Sequence, residues 1–492
     1  MRVRILLFLT ASLAVVGPSA IAEIGFQADP VISRLDQPVS VTLNGLPPEA
    51  SVIVRAETTD ILGRRWGSDA TFRADPDGKI DTLQQSPQAG TYRGIDGMGL
   101  FWSMTLPRDE PRQTAFLHTT VKPITVDLQA TLPDGSVRTL TITRLVADPS
   151  LVRREVNAPG VQGTLFSPPD DGSPRPAVIV LGGSEGGIPA ESYVAQFANA
   201  GFVSFGLAWF GTKDLTEHLA NVPVETFASA VRWLREQPGV DPGKIGIVGT
   251  SIGGVAALLA AAENPEIGAV VSFNGGGLIF QSIDPDPTAR VREQSTFSRG
   301  GVPLPFLPIA SVPMTNESLQ TAYYLRVFLG AYFAADARAI SAATVPVEKI
   351  QGPVLMIAGQ SDRLLGSATM SELAFERLCK SDFKPRFQLL AYSGAGHNLG
   401  ATGLPGTPAT LTQELIGPNQ IPYSFGGSPR QIESARQDSW KSAIEWLHSA
   451  LPLPPPPTPA PTATPSPSPT PKPKNSPRPK TPQKPKPASS RG

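Results

Sequence analysis

Ser251, Asp362 and His397 stand in that chain order, each beyond the end of an apolar run. A serine hydroxyl is a poor nucleophile until an imidazole takes its proton, and the imidazole needs a carboxylate to hold its tautomer. Ser251 is the centre of Gly249-Thr250-Ser251-Ile252-Gly253-Gly254, a G-x-S-x-G preceded by the apolar run 245–248 and followed by the Ala/Leu-rich run 255–262. The pattern predicts a strand, a sharp turn with serine at its apex, and a helix. Glycines two residues before and after leave room for the strained turn, and the amides that follow point at the group the serine attacks. On a parallel sheet the acid and then the histidine should follow on loops after later strands. Run 353–358 reads as a buried strand leading into Gly359-Gln360-Ser361-Asp362, and run 386–392 as another leading into Ser393-Gly394-Ala395-Gly396-His397. Asp362 also suits an N-cap for the helix expected at 368–380, and His397 also suits a surface loop.

The other three histidines fit less well. His118 is expected in a strand, His448 in a terminal helix, and His218 precedes the serine, against the order just described. A hydrolytic serine also needs donors for the oxyanion. Backbone N–H groups of Ile252, after the nucleophile, and of Gly183 or Ser184, in Leu181-Gly182-Gly183-Ser184-Glu185-Gly186-Gly187, are the candidates. That glycine loop fits neither G-x-G-x-x-G nor the P-loop lysine pattern, which argues against a nucleotide.

Elements able to position these residues are legible around them. Between 150 and 450, apolar runs (177–181, 202–208, 245–248, 269–273) alternate with helical segments (190–200, 224–237, 255–262), the mark of a doubly wound, mostly parallel α/β sheet. Residues 274–345 interrupt the rhythm with Pro-rich and aromatic pieces, including Tyr323, Tyr324, Phe328, Tyr332 and Phe333 at helical spacing. This reads as an insertion over the carboxyl edge of the sheet, either a lid or substrate wall or an ordinary packed helix. Residues 28–148 show period-two runs (39–43, 51–55, 126–132) broken by turns such as Pro133-Asp134-Gly135, predicting an antiparallel β-sandwich.

The 492 residues exceed one core, so two folded domains with extensions are expected. With 42 basic and 42 acidic residues there is no electrostatic case for nucleic acid. The single cysteine, Cys379, excludes an intramolecular disulfide, and its amphipathic setting predicts a buried helix position. Four histidines make a multi-histidine zinc site improbable, and no metal or organic cofactor is implied. At the N-terminus, Met1-Arg2-Val3-Arg4, the apolar run 5–16 and Ala20-Ile21-Ala22 predict a secretory signal peptide cleaved after Ala22, with no membrane span after its removal and a periplasmic or extracellular mature protein. Residues 451–492 are rich in Pro, Thr, Ser and Lys and carry no acid, predicting a disordered extended tail, either a spacer or a basic tether to an anionic cell-envelope polymer.

The chain resembles the acyl-CoA thioesterase and bile acid-CoA:amino acid N-acyltransferase family. The resemblance spans about 28–448 and is carried by several pieces in order. In the N-terminal part these are Leu46-Pro47-Pro48 and Gly97-Met98-Gly99-Leu100-Phe101-Trp102-Ser103-Met104. In the rest they are Gly183-Ser184-Glu185-Gly186-Gly187 with Ala208-Trp209-Phe210, Gly249-Thr250-Ser251-Ile252-Gly253-Gly254, residues 346–355 and Gly396-His397. It implies an α/β-hydrolase fold preceded by an Ig-like antiparallel β-sandwich, with the family's triad at Ser251, Asp362 and His397. In this family a serine nucleophile accompanies thioester hydrolysis and a cysteine accompanies transfer to an amino acid, so serine here implies a hydrolase. The export signal and the Pro-rich tail depart from the family, whose thioesterases work where coenzyme A is found.

Together these readings predict an exported serine hydrolase that cleaves a small-molecule acyl ester or thioester through an acyl-enzyme. Carboxylesterase or dienelactone-hydrolase-like action, acyl transfer, and a non-catalytic envelope-binding role stay open.

Overall fold

The computed structural model describes residues 23–107, 115–282, 294–309, 322–400, 402–407, 410–411 and 423–455. The expected signal peptide and all but the first residues of the expected tail lie outside the described residues.

Two sheets form from the N-terminal runs. One orders Gly25–Asp29, Ser40–Asn44 and Ile80–Asp81; the other orders Ile32–Arg34, Val137–Leu145, Ile124–Thr131, Ser51–Thr59, Arg65–Arg73 and Ala89–Gly90. All pairings are antiparallel except Ile32–Arg34 with Val137–Leu145, which is parallel. The alternation read from sequence is real: along Ser51–Thr59 every second side chain is buried. Val41 and Leu43 of the first sheet share one core with Val52, Val54, Phe72, Val126 and Leu128 of the second. His118 does not lie in a strand. It sits in an unpaired segment, with Nε2 bonded to the Lys122 carbonyl and its ring stacked on Phe116.

The second half of the chain builds an eight-stranded sheet, labelled here β1 (Val152–Ala158), β2 (Val161–Ser167), β3 (Arg175–Leu181), β4 (Val203–Ala208), β5 (Val240–Thr250), β6 (Ile267–Phe273), β7 (Val354–Gly359) and β8 (Phe387–Tyr392). Their order across the sheet is β1-β2-β4-β3-β5-β6-β7-β8. β1, β2 and β4 pair antiparallel in succession, and every later pairing is parallel. The central strands are buried along almost their whole length because helices cover both faces. Alternation sorts their side chains between two cores. Ala177, Ile179 and Leu181 of β3 pack with α2 (Glu225–Arg235) and α3 (Ile252–Glu263). Val178 and Val180 pack with α1 (Glu191–Asn199) and the terminal helix Pro429–Ala450. Strand order, direction and covered faces are those of an α/β-hydrolase sheet.

Between β6 and β7 the chain adds the short strands Phe297–Arg299 and Val302–Pro303, then α4 (Tyr323–Ala334) and α5 (Ala337–Ala343). This is the interruption expected at 274–345, parts of which lie outside the described residues. α6 (Ser367–Lys380) and α7 (Pro429–Ala450) complete the fold. Cys379 is on α6 as expected but is exposed, not buried. The apolar stripe of α6 runs through Met370, Ala374 and Leu378, and position 379 has turned past it. No helix among the described residues is long and apolar enough to cross a membrane.

Candidate active site

β5 delivers Ser251 into a turn with φ 59° and ψ −130°, a conformation costly for any residue with a side chain. The flanking glycines make it possible. A Cβ on Gly249 would lie 1.9 Å from the Gly253 carbonyl oxygen, and one on Gly253 would lie 2.1 Å from that of Gly182. The Ser251 N–H donates to the Phe273 carbonyl at the end of β6, 2.8 Å away, which ties the elbow to the neighbouring strand. Beneath it, the Thr250 hydroxyl donates to the buried Tyr193 hydroxyl of α1 at 3.2 Å.

Asp362 lies just past β7 and His397 in the loop after β8. The two loops meet at Ser251: His397 Nε2 is 2.8 Å from Ser251 Oγ, and His397 Nδ1 is 2.8 Å from Asp362 Oδ2. The structure thus brings together the three side chains singled out from sequence. Asp362 has no exposed side-chain surface. Its Oδ1 accepts the N–H groups of Leu364 and Leu365, and its Oδ2 also accepts that of Ser367. Burial alone would raise its pKa, but the attraction and hydrogen bond to His397 and these backbone hydrogen bonds outweigh it and hold the carboxyl below its ordinary value. The N-cap of α6 is Gly366, not Asp362 as the sequence also allowed, although Asp362 Oδ2 takes the N–H of the first helical residue, Ser367, while it holds His397. The ring of His397 stacks over Phe425, and its backbone N–H donates to the Phe425 carbonyl.

Of the expected oxyanion donors, Ile252 is the first residue of α3, so its N–H has no acceptor within the helix. Gly183 lies against the nucleophile: a Cβ placed there would be 3.2 Å from Ser251 Cβ. Here the expectation needs correction, because the Gly183 N–H is engaged by its own loop. It donates to Glu185 Oε1 at 2.9 Å, since the carboxylate two residues on folds back over the glycines. Ser184 faces the same cavity as Ser251 and Ile252.

That cavity is walled by Leu219, Phe280, Leu364 and Leu365 with Tyr324 and Phe328 of α4. The aromatic spacing read from sequence therefore supplies part of the cavity wall and also packs α4 onto Leu278, Phe280 and Leu307, although Phe333 of the same helix is 75% exposed and faces away. Sequence reasoning passed over Leu219, Phe280, Leu364 and Leu365, which carry no motif. It also passed over Asn274, whose signal was an asparagine at a strand end before Gly275-Gly276-Gly277. His448 is bonded through Nε2 to the Ala200 carbonyl and stacked on Phe202, while His218 is exposed; neither joins the site. Among the described residues no group of three or more His, Cys, Asp or Glu side chains is arranged to hold a metal.

Residues 222–452 match a family described as BAAT / acyl-CoA thioester hydrolase C terminal, and residues 36–158 match the acyl-CoA thioester hydrolase/BAAT N-terminal region. The peroxisomal succinyl-coenzyme A thioesterase of Mus musculus is 29% identical over 421 residues, 83% of this chain and 92% of that protein. The bile acid-CoA:amino acid N-acyltransferase of the same organism is 29% identical over 433 residues, 86% of this chain and 97% of that protein. Among solved structures, a dienelactone hydrolase-like phosphotriesterase from metagenomic libraries is 15% identical, with a TM-score of 0.38 over 61% of this chain and 99% of that one.

Proposed function

The chain belongs to the acyl-CoA thioester hydrolase/BAAT family, and on that premise we propose that it is an exported serine hydrolase cleaving an acyl thioester or ester through an acyl-enzyme. One observation carries the reading: Ser251 Oγ, His397 Nε2, His397 Nδ1 and Asp362 Oδ2 form a chain of two 2.8 Å contacts at the mouth of an apolar cavity. In the first step His397 takes the Ser251 proton as Oγ attacks the acyl carbonyl, and Asp362 holds the imidazole with its proton on Nδ1. The oxyanion is met by the Ile252 N–H and by the Ser184 N–H of the glycine loop, since Glu185 already takes that of Gly183. Each such donor contributes on the order of 3 kcal/mol to the transition state. His397 then protonates the departing thiolate or alkoxide and activates water to release the acid.

Three further observations support parts of this reading. The cavity beside Ser251 is lined mostly by apolar side chains, which suits an acyl group. The only cysteine, Cys379, is exposed on α6, so the nucleophile at the elbow is an oxygen, which favours hydrolysis over transfer in the family the chain resembles. The basic start, apolar run and Ala20-Ile21-Ala22 of residues 1–22 support export, and the acid-free tail supports contact with an anionic envelope polymer. The shared core of the two N-terminal sheets supports an Ig-like sandwich at 28–148 preceding the hydrolase domain at 150–450.

The test is a panel of p-nitrophenyl esters and acyl-CoA thioesters on the mature protein, with and without amine acceptors, and with Ser251→Ala as control. Hydrolysis by the wild type and none above background by the variant supports the reading. Equal rates for the two proteins refute it, and acylated amine outpacing free acid turns it into an acyltransferase.

A further inference from the structure

The carbonyls and amides around the three side chains converge on one residue that carries no motif. Asn274 follows β6, is completely buried, and has φ 50°, in the left-handed region that asparagine tolerates better than most residues with a side chain. Its carboxamide is used at both ends. Nδ2 donates to the His397 carbonyl at 2.5 Å; Oδ1 accepts the Gly359 N–H at 3.0 Å and the Ser367 hydroxyl at 3.2 Å. Gly359 ends β7 immediately before the Asp362 loop, and Ser367 gives its own N–H to Asp362 Oδ2. The residue before Asn274, Phe273, accepts the Ser251 N–H through its carbonyl. Two adjacent residues at the end of β6 thus touch the loops of all three reacting side chains.

We infer that Asn274 is a positioning residue for the Ser251 reaction, its buried carboxamide holding the His397 loop and the Asp362 loop in register with each other. The side-chain chemistry is specific. The position needs a donor toward one carbonyl and an acceptor toward two donors from a single planar group, which asparagine supplies and aspartate or leucine does not. An aspartate would set a buried carboxylate against the His397 carbonyl; an aliphatic side chain would leave that carbonyl and the Gly359 N–H without these partners. Both substitutions leave every side chain that meets substrate in place, so they act on the His397–Asp362 geometry.

This inference rests on the serine-hydrolase reading above. Asn274→Gly removes the carboxamide while keeping a backbone that accepts φ 50° without strain, and Asn274→Asp keeps the shape and loses the donor. For both, kcat per folded molecule should fall on the order of 10²-fold, the cost of a small misplacement of reacting groups. KM should stay within about threefold, because substrate contacts are retained. The strongly deshielded proton NMR resonance of the His397–Asp362 hydrogen bond should shift or broaden. Wild-type kcat and an unchanged resonance in either folded variant, with only a lower unfolding midpoint, overturn the inference. Should neither variant fold, Ser367→Ala removes only one bond to the same Oδ1: a reduced kcat with a displaced resonance supports the inference, and wild-type values overturn it. Ser251→Ala run alongside separates the two failures. If that variant is as active as the wild type, the hydrolase reading falls and takes this one with it; if it is inactive while the Asn274 variants match the wild type, only the role of Asn274 is refuted.

Discussion

Replacing Asp362 by asparagine exchanges one carboxylate oxygen for an NH₂ group and should nearly abolish turnover. Oδ1 accepts two backbone N–H groups, from Leu364 at 2.8 Å and Leu365 at 3.1 Å, so the new NH₂ group avoids that side and takes the place of Oδ2. There it faces His397 Nδ1 and donates to it. The imidazole proton must then sit on Nε2, pointing at Ser251 Oγ, and the ring cannot accept the serine proton. A wrong tautomer of this kind costs about 10⁴-fold in kcat, equivalent to about 5 kcal/mol of activation free energy. The same NH₂ group also meets the Ser367 N–H, donor against donor, for a stability loss on the order of 1–3 kcal/mol. The assay is kcat/KM for a p-nitrophenyl ester on Asp362→Asn and wild type, with urea unfolding of both in the same buffer. A folded variant that keeps more than about a tenth of wild-type kcat/KM would refute the argument, since tautomer control is worth far more than one decade.

Gly253→Ala should destabilise by roughly 1–3 kcal/mol or prevent folding, because its Cβ falls 2.1 Å from the Gly182 carbonyl oxygen; denaturant midpoints measure it. Phe328→Ala removes one wall of the cavity beside Ser251 and should shift preference toward longer or bulkier acyl groups, read as the ratio of kcat/KM across an ester series. Glu433 tests the pH dependence of stability. Burial pushes its carboxyl up to about 7, and burial likewise lowers Arg436, so desolvation outweighs their attraction across 3.7 Å. The native state therefore holds a proton that the unfolded chain releases at the ordinary value of 4.5, so this contribution is complete below about 4.5 and disappears as pH rises through about 7. That window is worth on the order of 3 kcal/mol, and Glu433→Gln should flatten the decline of unfolding free energy between pH 5 and 8.

Much of this was readable residue by residue. Period two along 51–55, within the strand Ser51–Thr59, and the solid apolar runs of β3, β4 and β7 declared strands because burial on one face or two imposes those patterns locally. The elbow was readable because contacts of 1.9 and 2.1 Å admit no side chain at Gly249 or Gly253, so the backbone geometry is written into the residue types. Other assignments were not local. Cys379 was expected to be buried, but one position of helical rotation puts it in solvent. Gly183 or Ser184 was expected to offer a free N–H, and the carboxylate two residues beyond Gly183 takes the glycine's. His118 has strand-like neighbours and yet pairs with no strand.

The sequence by itself determined the residue types of the site, their order along the chain, and the strands and helices that carry them, because each depends on neighbours within one element. Only the tertiary structure decided that Ser251, Asp362 and His397 meet across two 2.8 Å contacts, that Leu219, Phe280, Leu364 and Leu365 close a cavity with α4, and that Asn274 ties two loops together. Residues 274 and 397 are far apart in the chain, and a hydrogen bond between a carboxamide and a distant carbonyl leaves no periodicity to read; it exists because the parallel order of β5, β6, β7 and β8 gathers their carboxyl ends at one edge of the sheet.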